Sequence, residues 1–209
     1  MRYYSSKADW LYKTIPISDD LLTTLSRELL KVFQITQVKN KTLFKNMLAP
    51  CWDLEVLNAH APNLISWLQD QSLDMYFLGT YFTIADANKH LSIHVDSDTD
   101  EDFDGSRINL LMPVSNCKNS WTIWYDADKV SDGVPENFSK NGYGKSFDLG
   151  TAVEVIRVES TTPYWINGLF PHAPVTGELE TPNRPRIIAS LRFKNSILKD
   201  EKIKSYYMP

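Results

Sequence analysis

Helices packed against a β-rich core, α+β in class, is the fold predicted for this sequence. Apolar residues recur at helical spacing through the first third, and from about Met75 the pattern changes to short aromatic and β-branched segments separated by turn residues. The chain has 209 residues, 43% of them hydrophobic and 23% charged, enough to bury a substantial core in one domain. Residues 1–74 are expected to form mainly helical support, 75–193 the β core, and 194–209 a C-terminal helix or tail.

The first helix is predicted after Ser18. Its hydroxyl is an N-cap, and Asp19 and Asp20 place negative charge where the helix dipole favours it. Leu21, Leu22, Leu25, Leu29, Leu30 and Phe33 then form one apolar face. A second helix is predicted from Pro62, with Leu64, Ile65 and Leu68 on one side. His60 just before it reads as a surface or capping residue.

Strand-like runs follow: 75–82, 91–96, 107–114, 121–125, 152–158, 164–167 and 186–193. Turns are predicted at Asp104-Gly105, Ser115-Asn116 and Thr181-Pro182-Asn183. The polar stretch 126–150, with Gly133, Gly142, Gly144, Gly150 and Pro135, reads as a long loop. Many short strands at this spacing imply a sandwich or barrel.

Nothing in a net charge of -4 suggests a protein built mainly to bind phosphate backbones, so nucleic acid is not an expected partner. Cys51 and Cys117 are too few for a disulfide framework. The polar, aromatic N-terminus lacks the apolar centre of a signal peptide, and no run approaches the roughly 18 apolar residues of a membrane span. A soluble, reduced, cytoplasmic protein is expected.

Metal chemistry enters at Leu91-Ser92-Ile93-His94-Val95-Asp96. Strand side chains alternate between faces, so His94 and Asp96 point the same way and can converge on one ion. A third ligand from a distant strand would complete two imidazoles and a carboxylate, a set that leaves positions open on iron(II). His172, in Phe170-Pro171-His172-Ala173-Pro174, is the best third ligand, because its prolines fix the local backbone. A lone His-x-Asp, or one turn histidine, is more often ordinary surface chemistry. His90 shares the expected strand face of His94 but would lie roughly 13 Å from it. Downstream, Arg186, Ile188, Ser190 and Arg192 occupy one strand face. A guanidinium there can clamp a carboxylate through paired hydrogen bonds, and a hydroxyl adds another. Arg184 is a competing choice for that anchor.

His94-Val95-Asp96, His172 and Arg186, in that order, resemble the 2-oxoglutarate/iron(II) dioxygenase superfamily. The stretch from His94 to Phe193 is most similar to the aspartyl/asparaginyl β-hydroxylase and prolyl-hydroxylase-like groups. The matching runs are Arg107-Ile108-Asn109-Leu110-Leu111-Met112-Pro113-Val114-Ser115-Asn116-Cys117, Pro171-His172-Ala173-Pro174-Val175 and Pro185-Arg186-Ile187-Ile188. The resemblance covers about half the chain and implies a double-stranded β-helix of the jelly-roll or cupin kind. It implies iron(II) held by His94, Asp96 and His172, with 2-oxoglutarate and O₂ as co-substrates. Arg186 would bind the distal carboxylate of 2-oxoglutarate, with Ser190 and Arg107 also facing it. The implied activity is hydroxylation of a C–H bond in a small-molecule, amino-acid or peptidyl substrate, releasing succinate and CO₂. Trp121, Trp124, Tyr125 and Trp165 are candidates for lining the pocket.

Two other signals fail on spacing. Asp100-x-Asp102-x-Asp104-Gly105 imitates a calcium loop, but Leu111 stands where a bidentate Glu is required. Gly142-Tyr143-Gly144-Lys145-Ser146 lacks the first glycine of a phosphate loop. A zinc hydrolase and a non-oxygenase cupin remain as rivals, since both can use two His and a carboxylate. Arg186 discriminates in part, because only the oxygenase needs it for a co-substrate.

Overall fold

A computed structural model describes residues 11–39, 54–71, 73, 76–95, 108–126, 128–132, 146–168 and 170–193. After a short strand β1 (Tyr12–Thr14) come three helices: α1 (Asp19–Lys39), α2 (Leu54–His60) and α3 (Pro62–Asp70). Ten strands follow. They are β2 (Tyr76–Ile84), β3 (Ile93–His94), β4 (Ile108–Ser115), β5 (Ser120–Tyr125), β6 (Ser131–Asp132), β7 (Ser146–Asp148), β8 (Glu154–Glu159), β9 (Tyr164–Asn167), β10 (His172–Thr176) and β11 (Arg186–Phe193).

Helix α1 begins where expected: Leu21 N donates to Ser18 Oγ at 3.4 Å, and Asp19 and Asp20 fill the first turn. Helix α3 starts at Pro62 but has no side-chain cap of its own, because Ala61 occupies that position. Glu28 on α1 supplies the acceptor instead. Its carboxylate takes bonds from Asn63 N at 3.2 Å, Asn63 Nδ2 at 2.6 Å and Leu64 N at 2.9 Å. The charge sits at the positive end of the α3 dipole and locks the two helices together. His60 closes α2, a helix the sequence reading missed, and is not a cap for α3.

The strands form two antiparallel sheets. One runs β1-β9-β4-β11-β2 and the other β6-β7-β3-β10-β5-β8. From β2 to β5 and from β8 to β11, consecutive strands fall alternately in the two sheets. The outer face of the five-stranded sheet is covered by the helices: Leu25, Leu29 and Phe33 of α1, Leu57 of α2 and Leu64, Trp67 and Leu68 of α3 pack with Leu110, Met112, Trp165, Ile187 and Leu191. Tyr81 adds a buried hydroxyl that donates to Leu29 O at 2.6 Å. A second cluster fills the space between the sheets, with Leu111, Trp124, Val158, Tyr164, Ile166 and Ile188. A third covers the opposite face of the six-stranded sheet, around Ile93, Val95, Ile123, Tyr125 and Ala173.

Prolines shape the ladders because they cannot donate. Pro113 pairs with Ile188, and the β4–β11 register shifts between Ile187 and Ile188. The turns at 115–116 and 181–183 are present, with Asn116 at φ 56 and Asn183 at φ 67, a left-handed conformation Asn tolerates better than most residues. The stretch 126–150 is more than a loop: β6 and β7 pair within it, and β7 pairs with β3. The predicted strand 91–96 is reduced to Ile93–His94. The turn at 104–105, the tail 194–209, Cys51 and the two rejected motifs, apart from Leu111 and Ser146, lie outside the described residues.

Glu28→Ala is expected to lower unfolding free energy by about 1–2 kcal/mol, the usual range for a lost helix cap, as read by chemical denaturation. Glu28→Gln should recover part of that loss.

Candidate metal and ligand site

Two of the three predicted metal ligands come together. In the six-stranded sheet His172 lies directly opposite His94 on one side and Trp124 on the other. Directly opposed residues of an antiparallel pair project from the same face, and here the two imidazole centroids are 4.5 Å apart. His172 is buried and His94 half-buried.

Each ring is turned by a backbone carbonyl. His94 Nδ1 lies 2.9 Å from Ser92 O, and His172 Nδ1 lies 2.8 Å from Phe170 O. A carbonyl only accepts, so Nδ1 carries the proton of the neutral ring and Nε2 carries the lone pair. A carbonyl partner on the other ring nitrogen is the usual way a metal-binding imidazole is oriented. The donor chemistry therefore fits a divalent transition metal. Asp96 lies outside the described residues, and among those residues no group of three His, Cys, Asp or Glu gathers.

His90 is not on the face of His94. Its Nδ1 faces Leu91 O at 2.7 Å, and its Nε2 accepts from Tyr125 Oη at 2.5 Å. Tyr125 neighbours Trp124 on β5 and so points to the opposite side of the sheet. The chain from His90 to Ser92 is not strand, which breaks the alternation on which the expectation rested. Pro174 accepts from Leu91 N at 3.1 Å but has no N–H to return, and His90 meets Val175 only as an isolated bridge. The His90–Tyr125 contact thus anchors the segment leading to His94 from behind.

Arg186 and Arg184 separate cleanly. Arg184 is exposed in the turn, whereas Arg186 is buried at 1% exposure, on the inner face of β11. The turn is fixed by Asn116, whose Nδ2 donates to Thr181 O and Arg184 O while its Oδ1 accepts from Thr181 N. Arg186 Nε donates to Ser120 Oγ at 2.5 Å, and Nη2 donates to Ser160 Oγ at 3.2 Å. Tyr164 Oη then links Ser160 Oγ at 3.1 Å to Thr122 Oγ1 at 2.8 Å. Burial lowers the Arg186 pKa from its ordinary range, opposed by Cys117 and Tyr164. A guanidinium nevertheless stays protonated in proteins, and no carboxylate pairs with it among the described residues. Burial likewise raises the Cys117 thiol and the Tyr164 phenol, with Arg186 pulling both down.

Ser190 lies on the same inner face, fully buried. Arg107 and the side chain of Arg192 lie outside the described residues. Of the aromatic candidates, only Trp124 faces the space between the sheets, its ring 6.3 Å from that of His172. Trp165 belongs to the helix-facing core. Trp121 and Tyr125 lie on the outer face of the six-stranded sheet, where Arg157 caps the Trp121 ring at 5.4 Å. The reading missed Ser120, Thr122 and Ser160. Its available signal was polar residues at 120 and 122 in phase with Trp124, opposite the apolar set Trp121, Ile123 and Tyr125. A surface groove of about 650 Å³ runs between α1 and the β4–β5 turn and includes none of His94, His172, Arg186 or Ser190.

The chain is thus an antiparallel two-sheet fold with an imidazole pair facing the space between the sheets. No family model matches the sequence, and neither does any curated protein. Among solved structures it is similar to SnoK, a non-haem α-ketoglutarate-dependent carbocyclase from nogalamycin biosynthesis, at TM-score 0.50 and 9% identity, over 92% of this chain and 84% of that one. HygX from Streptomyces hygroscopicus, with nickel and 2-oxoglutarate bound, gives TM-score 0.49 and 12% identity over 91% and 87%. A Pseudomonas putida prolyl-4-hydroxylase gives 0.43 and 11% over 90% and 94%. At such identities the likeness to SnoK concerns the fold alone. No helix among the described residues is long and apolar enough to cross a membrane.

Burial, reinforced by Glu154 and opposed by Arg157, raises the Tyr125 pKa from 10.0 to about 12. A raised folded-state pKa contributes stability that is fully present below the unfolded value and lost as pH rises through the folded one. Stability is therefore expected to fall between pH 10 and about 12. In thermal melts across that range Tyr125→Phe should show a shallower decline than the parent.

Proposed function

We propose that this chain is an iron(II)- and 2-oxoglutarate-dependent oxygenase, one domain built on a double-stranded β-helix. Its substrate would be an amino-acid or peptidyl C–H bond in the cytoplasm. Support comes from strand order, since the alternation of β2 to β5 and β8 to β11 between two sheets is the jelly-roll pattern. His94 and His172 would hold the metal through Nε2, with Asp96 as the carboxylate. When bound, iron(II), 2-oxoglutarate and O₂ supply oxidative decarboxylation to succinate and CO₂, coupled to oxidation of the substrate.

Arg186 carries this reading. Leaving a buried charge uncompensated costs several kcal/mol, and only two of the five guanidinium N–H groups are engaged, both by neutral hydroxyls, among the described residues. An anion is what such a site lacks, and the distal carboxylate of 2-oxoglutarate would supply it. Ser190, on the same face, would add a hydroxyl to the co-substrate pocket farther along β11, and Arg107 a second cation. A zinc hydrolase or non-oxygenase cupin has no need of a buried cation facing the imidazole pair. The shell around the site would orient the co-substrate and exclude water through Trp124, Tyr164, Ile166 and Ile188.

Anaerobic loading with iron(II), followed by O₂, should yield succinate from 2-oxoglutarate. His94→Ala should lose both iron retention and turnover. Arg186→Ala should keep its iron while its KM for 2-oxoglutarate rises about tenfold to a hundredfold, the loss expected for a hydrogen bond to an ionised group. An iron-loaded parent that forms no succinate would refute the assignment, and an unchanged KM in Arg186→Ala would refute the anchor.

A further inference from the structure

Two buried polar atoms on the inner faces of the sheets, Trp124 Nε1 and Ser190 Oγ, find no hydrogen-bond partner among the described residues. Topology places them at the same end of the two sheets. β4 and β5 flank one turn, and Arg186 meets Ser120 beside it. Trp124 lies four residues from Ser120 along β5, and Ser190, paired with Leu111, lies four residues from Arg186 along β11. Both are therefore about 13 Å along their strands from the Arg186–Ser120 level, on sheets that face each other. The level of Trp124 and Ser190 is also that of the imidazole pair, because Trp124 pairs with His172.

The Trp124 ring cannot easily turn away. Tyr12 stacks on it with centroids 5.7 Å apart and planes at 30°, and the side chain has no solvent exposure. An indole N–H can only donate. Phenylalanine would give similar packing without a buried donor to satisfy, and an unmet buried donor is destabilising.

We infer that the Trp124 indole N–H is a ligand-binding donor, hydrogen-bonded to an oxygen at the keto-acid end of 2-oxoglutarate, with Ser190 Oγ across the interior as the second polar contact. This rests on the oxygenase reading above. It assigns the two ends of the co-substrate to different donors: Arg186 to the distal carboxylate, and Trp124 to the end beside the metal. Trp124 thereby becomes a specificity residue that rewards an oxygen acceptor at that end.

The test uses protein labelled with ¹⁵N at tryptophan indoles and loaded with zinc(II) in place of iron. The Trp124 resonance is identified by its absence from Trp124→Phe. On adding 2-oxoglutarate it should move downfield in the proton dimension, and calorimetry should find 2-oxoglutarate bound about tenfold more weakly by Trp124→Phe, with zinc uptake unchanged. The parent resonance is decisive: should Trp124→Phe fail to fold, single replacements of the other five tryptophans assign their signals and leave that of Trp124. If 2-oxoglutarate binds the parent and this resonance stays in place, the inference is wrong and the oxygenase reading survives. If 2-oxoglutarate does not bind the zinc-loaded parent, both fall.

Discussion

The register of β10 decides what this protein can do. His172 sits between His94 and Trp124 because β10 pairs with β3 and β5 at that one position. Side chains alternate along a strand, so a slip by one residue would send His172 to the outer face and bring Ala173 inward. The outer face already holds Ala173, Ile93, Val95 and Ile123 in a compact apolar cluster. Exposing those side chains while burying an imidazole elsewhere would be costly, and that cost fixes the register. The imidazole pair is thus a consequence of packing on the side of the sheet that carries no chemistry.

The same division runs through the rest of the fold. Five-stranded-sheet residues facing the helices are aliphatic or aromatic, while the inner face of β11 carries Arg186 and Ser190 beside Ile188. A core meant only for stability would not bury a guanidinium against two serine hydroxyls. The interior instead has a cation at one end, imidazoles at the other, and buried polar groups between apolar walls. Stability is drawn from the opposite side of the sheet, where α1 and α3 are clamped together through Glu28 and pack on Leu110, Met112 and Leu191.

Much of this was legible in the sequence. Helical periodicity located α1 and α3, and runs of β-branched and aromatic residues between turn signals located β2, β4, β5, β8, β9 and β11. Strand β10 was hidden by Pro171 and Pro174, which read as turn residues although Pro174 lies inside the strand. β1, β6 and β7 have only two or three residues and owe their state to partners distant in the chain. Of the site, His94, His172 and Arg186 were readable as residue types in order. The hydroxyls on Arg186 were not, since Ser120 and Ser160 reach it only through sheet pairing. The misplacement of His90 has the same origin: local alternation was assumed where the chain leaves the strand. Asp96 and Arg107 lie outside the described residues, and their roles rest on the proposed function.

Anomalous diffraction from crystals grown anaerobically with iron(II) would test the central claim most directly. One ion is predicted at about 2.1 Å from Nε2 of both His94 and His172, the usual metal–imidazole distance, with the Asp96 carboxylate in the same coordination sphere. An ion bound elsewhere, or one touching neither imidazole, would contradict it.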